Sequence, residues 1–137
     1  MKKTIALFVS ALLLCACASD APLTKKQIMD KFLAGTLDPS YVPAAFFIHF
    51  PAECKTGDAA VEAHIKHMRT LDQDIVKVQF EQPMPRISDL DRQETWDAIA
   101  PVPEDFYRPT LEIIRKIQEE VGDSVYVIPT IYSPYQV

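Results

Sequence analysis

The chain has 137 residues, with 14 lysines and arginines against 19 aspartates and glutamates, and its formal net charge is −5 at neutral pH. This acidic balance argues against a nucleic-acid-binding protein, which needs a basic face, and against electrostatic attraction to anionic lipid. The length is sufficient for a single modest hydrophobic core.

The N-terminal segment has the pattern of a secretory signal. Lys2 and Lys3 form a positive start, and the apolar run 4–14 that follows is too short to span a bilayer as a stable helix. The run ends in Leu14-Cys15-Ala16-Cys17, with a large aliphatic residue three positions before the second cysteine and a small residue directly before it. This motif resembles the lipobox of bacterial lipoprotein signals. An ordinary secretory signal or an uncleaved anchor is the alternative.

The lipobox resemblance implies cleavage before Cys17 and attachment of diacylglycerol to its thiol. The protein would then be lipid-anchored in the bacterial cell envelope, at the outer membrane in a Gram-negative source. We accordingly divide the chain into a signal peptide at 1–16, a tether at 17–23 and a folded domain at 24–137. Removal of Cys15 and acylation of Cys17 would leave Cys54 alone, and one cysteine cannot form an internal disulfide.

The first half of the domain predicts a helix, a strand and a second helix. Thr24 and Gln27 have the spacing of a capping box, and Gly35 is a natural end for the helix that follows. The apolar run 44–50 is short and lies between two prolines, which favours a buried strand. Asp58 is expected to cap the next helix, whose apolar residues lie on one face and which extends to about Leu71.

The second half predicts two more strands separated by helices. Strands are expected at Ile75–Glu81 and Val125–Ile131. A short helix capped by Ser88 and carrying Trp96 is expected between them, before a longer helix that ends at Gly122. The apolar stripe of the longer helix is expected to comprise Tyr107, Leu111, Ile114, Ile117 and Val121.

This order of elements predicts an α/β fold with about three parallel strands joined by crossover helices. Flavodoxin-like and barrel folds both begin in this way. The alternation of the second strand places Lys77, Gln79 and Glu81 on one side. A barrel accommodates this polar column better than a flavodoxin-like sheet does, because the polar side chains can face the barrel interior, toward the end where active sites are built. We therefore expect the N-terminal portion of a (β/α)8 TIM-like barrel. The chain ends at Val137, just after the third predicted strand, so a partial or truncated form is expected.

Four segments resemble the uroporphyrinogen decarboxylase-like superfamily, which includes the decarboxylase of haem biosynthesis and corrinoid methyltransferases. They are VPAAFFIHFP, DAAVEAHIKHMRTLDQDIVKVQFE, TWDAIAPVPED and EIIRKIQEEVGDSVYVIPTIYSP. They lie between Val42 and Pro134 and correspond to the first three strands of the family's barrel. The family is cytosolic, so a lipoprotein signal departs from its pattern.

The resemblance implies roles for individual residues. Glu81 lies where the decarboxylases have an aspartate that contacts pyrrole nitrogens, which makes it the candidate catalytic residue. Thr130 and Ser133 resemble the family's substrate-facing turn. In the decarboxylases, the stretch after the first strand contains arginine that binds substrate carboxylates. The corresponding stretch of this chain has no arginine, and Lys55 cannot replace it because an ammonium group does not bind a carboxylate through two parallel hydrogen bonds. The decarboxylase reaction implies no cofactor, whereas the methyltransferases use zinc held by ligands on later strands.

Two further substrate-binding candidates come from their places on the strands. His49, near the end of the first predicted strand, has an imidazole that can bind a carboxylate or move a proton; the alternative is a histidine held by the backbone. Gln79 belongs to the inward-facing polar column. His64 and His67 have a spacing that can hold a metal, but a solvated helix face is favoured and no metal site is predicted.

These observations predict a lipid-anchored, uroporphyrinogen decarboxylase-like protein that acts on a tetrapyrrole or another small polycarboxylate. A relative of the corrinoid methyltransferases and a non-catalytic surface lipoprotein are the alternatives. The expected partners are the membrane, through the lipid on Cys17, and a homodimer or other partner at the exposed edge strand 125–128.

Overall fold

The computed structural model describes residues 22–83, 92–98 and 100–132. The predicted signal peptide, Cys17, Ser88 and Ser133 lie outside these ranges. The helices and strands are α1 (Lys25–Leu33), α2 (Gly57–Thr70), β1 (Ile75–Val78), α3 (Arg108–Val121) and β2 (Tyr126–Pro129). Short 3₁₀ turns occupy Ala52–Cys54, Gln93–Ala98 and Glu104–Tyr107. No helix in the described ranges is both long enough and apolar enough to cross a membrane.

The two strands form a parallel sheet. Ile75 lies opposite Tyr126, and Val78 lies opposite Pro129. Because α3 lies between the two strands in the chain, the unit is a strand–helix–strand crossover of the kind that parallel pairing requires. The mixed α/β class and the parallel pairing are therefore confirmed.

The expectation of about three strands is wrong for the described residues, because segment 44–50 is not a strand. The segment lies beside β1 but is held mainly by side chains. Ala44 exchanges hydrogen bonds with Asp74, whose backbone N–H donates to Ala44 O at 2.9 Å and whose Oδ2 accepts from Ala44 N–H at 2.8 Å. Phe46 N–H donates to Gln73 Oε1 at 2.8 Å. Side-chain oxygens thus accept hydrogen bonds that a strand ladder would give to backbone carbonyls.

The beginning of α1 matches its sequence signal. Thr24 Oγ1 accepts from Gln27 N–H at 3.2 Å, and Gln27 Oε1 accepts from Thr24 N–H at 2.9 Å. This reciprocal capping box satisfies two N–H groups that a helix start would otherwise leave unpaired. The helix ends at Leu33, and Gly35 then has a φ of 67°, which glycine adopts without strain.

The core lies between the sheet and helices α2 and α3. Its buried members are Ala60, Val61 and Ile65 from α2, Val76 and Val78 from β1, Ile113, Ile117 and Val121 from α3, and Val125. The α3 stripe was partly wrong: Leu111 is exposed, Ile113 is buried, and Ile114 packs at the margin. The buried positions follow an i, i+4, i+8 spacing, so the buried face is centred on the row from Ile113 to Val121.

Two predicted boundaries also shift. Helix α2 begins at Gly57 with Thr56 as its N-cap, so Asp58 lies in the first turn and not at the cap. There its carboxylate accepts a hydrogen bond from Lys116 Nζ of α3 at 2.6 Å. The region carrying Trp96 forms a 3₁₀ turn instead of a short α-helix.

Candidate functional site

A cluster of charged side chains lies just beyond the carboxyl end of β1. We call it the carboxylate cluster: Glu81, His49, Lys55 and the backbone of Phe50. Glu81 Oε2 lies 3.0 Å from Lys55 Nζ, and Oε1 lies 3.2 Å from His49 Nδ1. Phe50 N–H donates to Oε1 at 3.2 Å. One carboxylate therefore ties the segment after residue 48 to the end of the strand.

The carboxylate of Glu81 is buried whereas its imidazole partner faces solvent. The side chain of Glu81 is 6% exposed and that of His49 is 59% exposed. Burial by itself raises the pKa of Glu81, but the hydrogen bonds from Lys55, His49 and Phe50 N–H outweigh it and hold the pKa below its usual value. Glu81 is consequently an ionised acceptor at neutral pH.

A second set of polar side chains joins the ends of β1 and β2. We call it the strand-end cluster: Lys77, Gln79, Thr130 and Tyr132. Thr130 Oγ1 accepts from Lys77 Nζ at 3.2 Å and lies 3.3 Å from Gln79 Oε1. Gln79 Nε2 donates to the Tyr132 hydroxyl at 3.1 Å. These contacts link the two strands beyond their backbone ladder.

The ring of Phe47 connects the two clusters. It contacts the His49 ring edge to face, with 4.7 Å between ring centroids. The Lys77 ammonium lies over the same ring, 5.9 Å from its centroid. Phe47 as a whole residue is 54% exposed. Both clusters therefore border one accessible aromatic surface.

His64, on α2, packs against the end of β1. The expectation that it lies on a solvated helix face is therefore wrong. It is buried and uses both ring nitrogens: Nδ1 donates to Ala60 O at 2.7 Å, and Nε2 accepts from Gln79 N–H at 3.0 Å. Because a backbone N–H can only donate, Nε2 must be unprotonated. Burial is the main cause that lowers the pKa of His64.

Four of the predicted site residues fall in the two clusters. Glu81 and His49 meet in the carboxylate cluster, and Gln79 and Thr130 meet in the strand-end cluster. Ser133, like the lipidation candidate Cys17, lies outside the described residues. These pairings bring together positions that are far apart in the chain, from residue 49 to 81 and from 79 to 130.

Sequence reasoning missed three members of this region. The sequence treats Lys55 only as a poor substitute for arginine, places His64 on a solvated face, and gives Tyr132 no role. The one available signal for Tyr132 was its place two residues after Thr130. No local pattern indicated that Lys55 reaches Glu81, because that contact depends on the 3₁₀ turn at Ala52–Cys54.

No group of three or more histidine, cysteine, aspartate or glutamate side chains in the described residues is arranged to hold a metal ion. Comparisons of the chain with protein-family models, curated proteins and solved structures find no match. Its function is therefore inferred from the residues and their geometry.

Proposed function

We propose that the domain is the N-terminal portion of a (β/α)8 barrel of the uroporphyrinogen decarboxylase type, and that its strand ends bind a small polycarboxylate of the tetrapyrrole class. The observation that carries the proposal is the carboxylate cluster, in which a buried, ionised Glu81 pairs with the exposed His49 and the partly exposed Lys55. Barrel enzymes place their sites at the carboxyl ends of parallel strands, and this cluster follows β1 directly.

The two parts of the cluster have complementary roles in this proposal. The basic side chains of His49 and Lys55 bind acid groups of the ligand. When the ligand's acid groups replace Glu81 as the partners of His49 and Lys55, the Glu81 carboxylate is free to accept hydrogen bonds from pyrrole N–H groups and to stabilise the cation formed when a pyrrole ring carbon is protonated. The bond to the side-chain carboxyl carbon then breaks, its electron pair enters the ring, and CO2 leaves. Protonation of the resulting methylene carbon and loss of the ring proton give a methyl group.

A titration with an octacarboxylate porphyrinogen, performed without oxygen on the full chain in neutral detergent, tests the proposal. Glu81→Gln removes the charge at nearly the same size and should weaken binding by about tenfold or more. Glu62→Gln, on the exposed face of α2, is the matched control and should bind as the unmodified chain does. Thermal melts show whether Glu81→Gln remains folded. Equal binding by both variants would refute the role of Glu81, and no binding by the unmodified chain would favour a non-catalytic surface lipoprotein.

We propose in addition that a lipid on Cys17 attaches the protein to the bacterial cell envelope. Two neighbouring cysteines allow a matched test. Cys17→Ser should abolish both the mass increase from diacylglycerol and the recovery of the chain with membranes, whereas Cys15→Ser should retain both, because the residue at position 15 is removed with the signal. Lipid on the Cys17→Ser variant would refute the assignment.

A further inference from the structure

Lys77 is a half-buried cation, and no carboxylate among the side chains that the structure describes balances its charge. Its Nζ donates to Thr130 Oγ1 at 3.2 Å and lies over the Phe47 ring. Among the aspartate and glutamate side chains that the structure describes, none brings an oxygen within 4.0 Å of this nitrogen. Lysines that are removed from water usually have an ionic partner, because the desolvated charge is costly.

The carboxylate that lies on the same polar column is already engaged. Glu81 follows Lys77 by four residues, but its two oxygens are held by Lys55, His49 and the Phe50 N–H. The contacts that Lys77 does make are neutral: a hydroxyl and an aromatic face. The ammonium has three N–H donors, and Thr130 uses one of them.

Donors from two other side chains in the strand-end cluster are also available. The Tyr132 hydroxyl accepts from Gln79 Nε2, so its own hydrogen remains to be donated. The Gln79 amide has a second N–H beyond the one given to Tyr132. The oxygens of the cluster, by contrast, are used internally, since Thr130 Oγ1 accepts from Lys77 and Gln79 Oε1 faces Thr130. A group that accepts hydrogen bonds and carries negative charge complements this set.

We infer that Lys77, together with Gln79 and Tyr132, binds one carboxylate group of the ligand. The inference rests on the proposed function in that this carboxylate is one of the acid groups of the same polycarboxylate. The Phe47 ring that Lys77 contacts is also in contact with His49 of the carboxylate cluster. The ligand is therefore a compound with at least two carboxylates, whose body lies over Phe47 while one acid group reaches Lys77 and another reaches His49 and Lys55.

Binding of succinate to the full chain in neutral detergent, followed by calorimetry, tests the assignment. Lys77→Met keeps the length of the side chain without its charge and should weaken succinate binding by about tenfold. Lys77→Arg keeps the charge and should lose less than about threefold. Lys66→Met, on the exposed face of α2, is the matched control and should not change the affinity. Undiminished succinate binding by Lys77→Met would overturn the inference.

Urea denaturation separates ligand binding from a structural role. Because Lys77 has no ionic partner among the described residues, Lys77→Met should unfold at the same or a higher urea concentration than the unmodified chain. A lower urea midpoint for Lys77→Met would mean that Lys77 stabilises the fold, and it would overturn the inference.

The same variants distinguish the inference from the proposed function. If the porphyrinogen binds to Lys77→Met as tightly as to the unmodified chain but depends on Glu81, the role of Lys77 is overturned and the proposed function is retained. If succinate binding depends on Lys77 while the porphyrinogen does not bind, the tetrapyrrole assignment fails and the carboxylate-binding role of Lys77 is retained. Binding of neither probe to the unmodified chain overturns both.

Discussion

The His64 ring couples the end of β1 to the pH of the solution. Its Nε2 accepts the Gln79 N–H, so protonation of that nitrogen would place two donors against each other. The ring lies near His67 and Glu81, and burial is the largest cause that lowers its pKa. The unfolded chain therefore binds this proton more readily than the folded chain. Stability should be complete above the unfolded pKa of about 6.5 and should fall as the pH drops from there toward the folded value.

Urea unfolding at about pH 7.5 and about pH 5.5 checks this expectation. The unmodified chain should lose free energy of unfolding by at most about 1.4 kcal/mol per pH unit from this one group. His64→Leu should be less stable at the higher pH, because the Gln79 N–H loses its acceptor, and should show a smaller pH dependence. Lys66→Met, on the exposed face of α2, leaves the histidines in place and should keep the pH dependence of the unmodified chain. Identical pH dependence in His64→Leu would contradict the assignment.

Asp74 anchors the segment before α2 to the start of β1. Its buried carboxylate accepts from Tyr41 OH at 2.6 Å, from Ala44 N–H at 2.8 Å and from Lys25 Nζ at 3.3 Å. Burial raises the pKa of Asp74, but these three hydrogen bonds outweigh it and hold the pKa below its usual value. The carboxylate therefore stabilises the fold above the unfolded pKa, and this contribution is lost as the pH falls below about 4.

Asp74→Asn should lower the free energy of unfolding by about 2 kcal/mol, since an amide cannot accept at both oxygen positions. Asp72→Asn is the matched control, because Asp72 pairs with the same lysine but its side chain is 89% exposed. The control should change the stability by less than about 0.5 kcal/mol. Urea denaturation at neutral pH measures both, and equal effects would show that burial of Asp74 is not what matters.

Among the elements, α3 carries the clearest test of the core. Ile117 is completely buried between α2 and the sheet, whereas Leu111, on the same predicted apolar stripe, is exposed. Ile117→Ala should cost about 2–5 kcal/mol through lost burial and the cavity left behind. Leu111→Ala should change the free energy of unfolding by less than about 0.5 kcal/mol. Comparable losses in the two variants would mean that the helix is rotated about its axis relative to this structure.

The strands show where element-level prediction succeeds and where it fails. β1 and β2 were recognised because short apolar, β-branched runs are bounded by turn residues. Segment 44–50 has a similar composition but forms no ladder, since Asp74, Gln73 and Glu81 accept its N–H groups with their side chains. Hydrophobicity along the chain does not reveal which partner will satisfy a backbone donor.

At the scale of the whole molecule, β2 leaves an apolar edge. Within the described residues it pairs only with β1, and both Ile128 and Ile131 are exposed. A groove of about 290 Å³ beside it is lined mostly by apolar and aromatic side chains, among them Phe80, Leu111, Ile114 and Ile131. Unpaired strand edges with exposed apolar side chains promote association between chains.

We therefore predict that residues 18–137, which lack the predicted signal peptide and lipidated cysteine, dimerise or aggregate in solution. Light scattering should give a mass above that of one chain. Ile131→Lys should shift the protein toward the monomer because it places a charge at the edge. Leu33→Lys, at an exposed apolar position at the end of α1, is the control and should have no such effect. A monodisperse, cooperatively melting monomer without any substitution would refute the prediction.

The sequence by itself determined the α/β class, the capping box of α1, the parallel order of β1, α3 and β2, and the burial of Ile117 and Val121 on α3. These features follow from the spacing of apolar and capping residues along the chain. Apolar residues recur about every 3.6 positions in a helix and every second position in a strand. It also pointed to Glu81, His49, Gln79 and Thr130 through their places at strand ends and the family resemblance. It did not indicate which of these side chains would touch.

Only the tertiary structure decided the partners. Glu81 contacts His49 and Lys55, His64 contacts the Gln79 backbone, and Lys77 contacts Thr130 across gaps of 15 to 53 residues. Such contacts depend on the crossover connections and on turn geometry, neither of which leaves a periodic signal in the chain. The charge balance of the candidate site is for that reason a property of the fold: the same lysines and carboxylates could pair in several ways, and packing selects one.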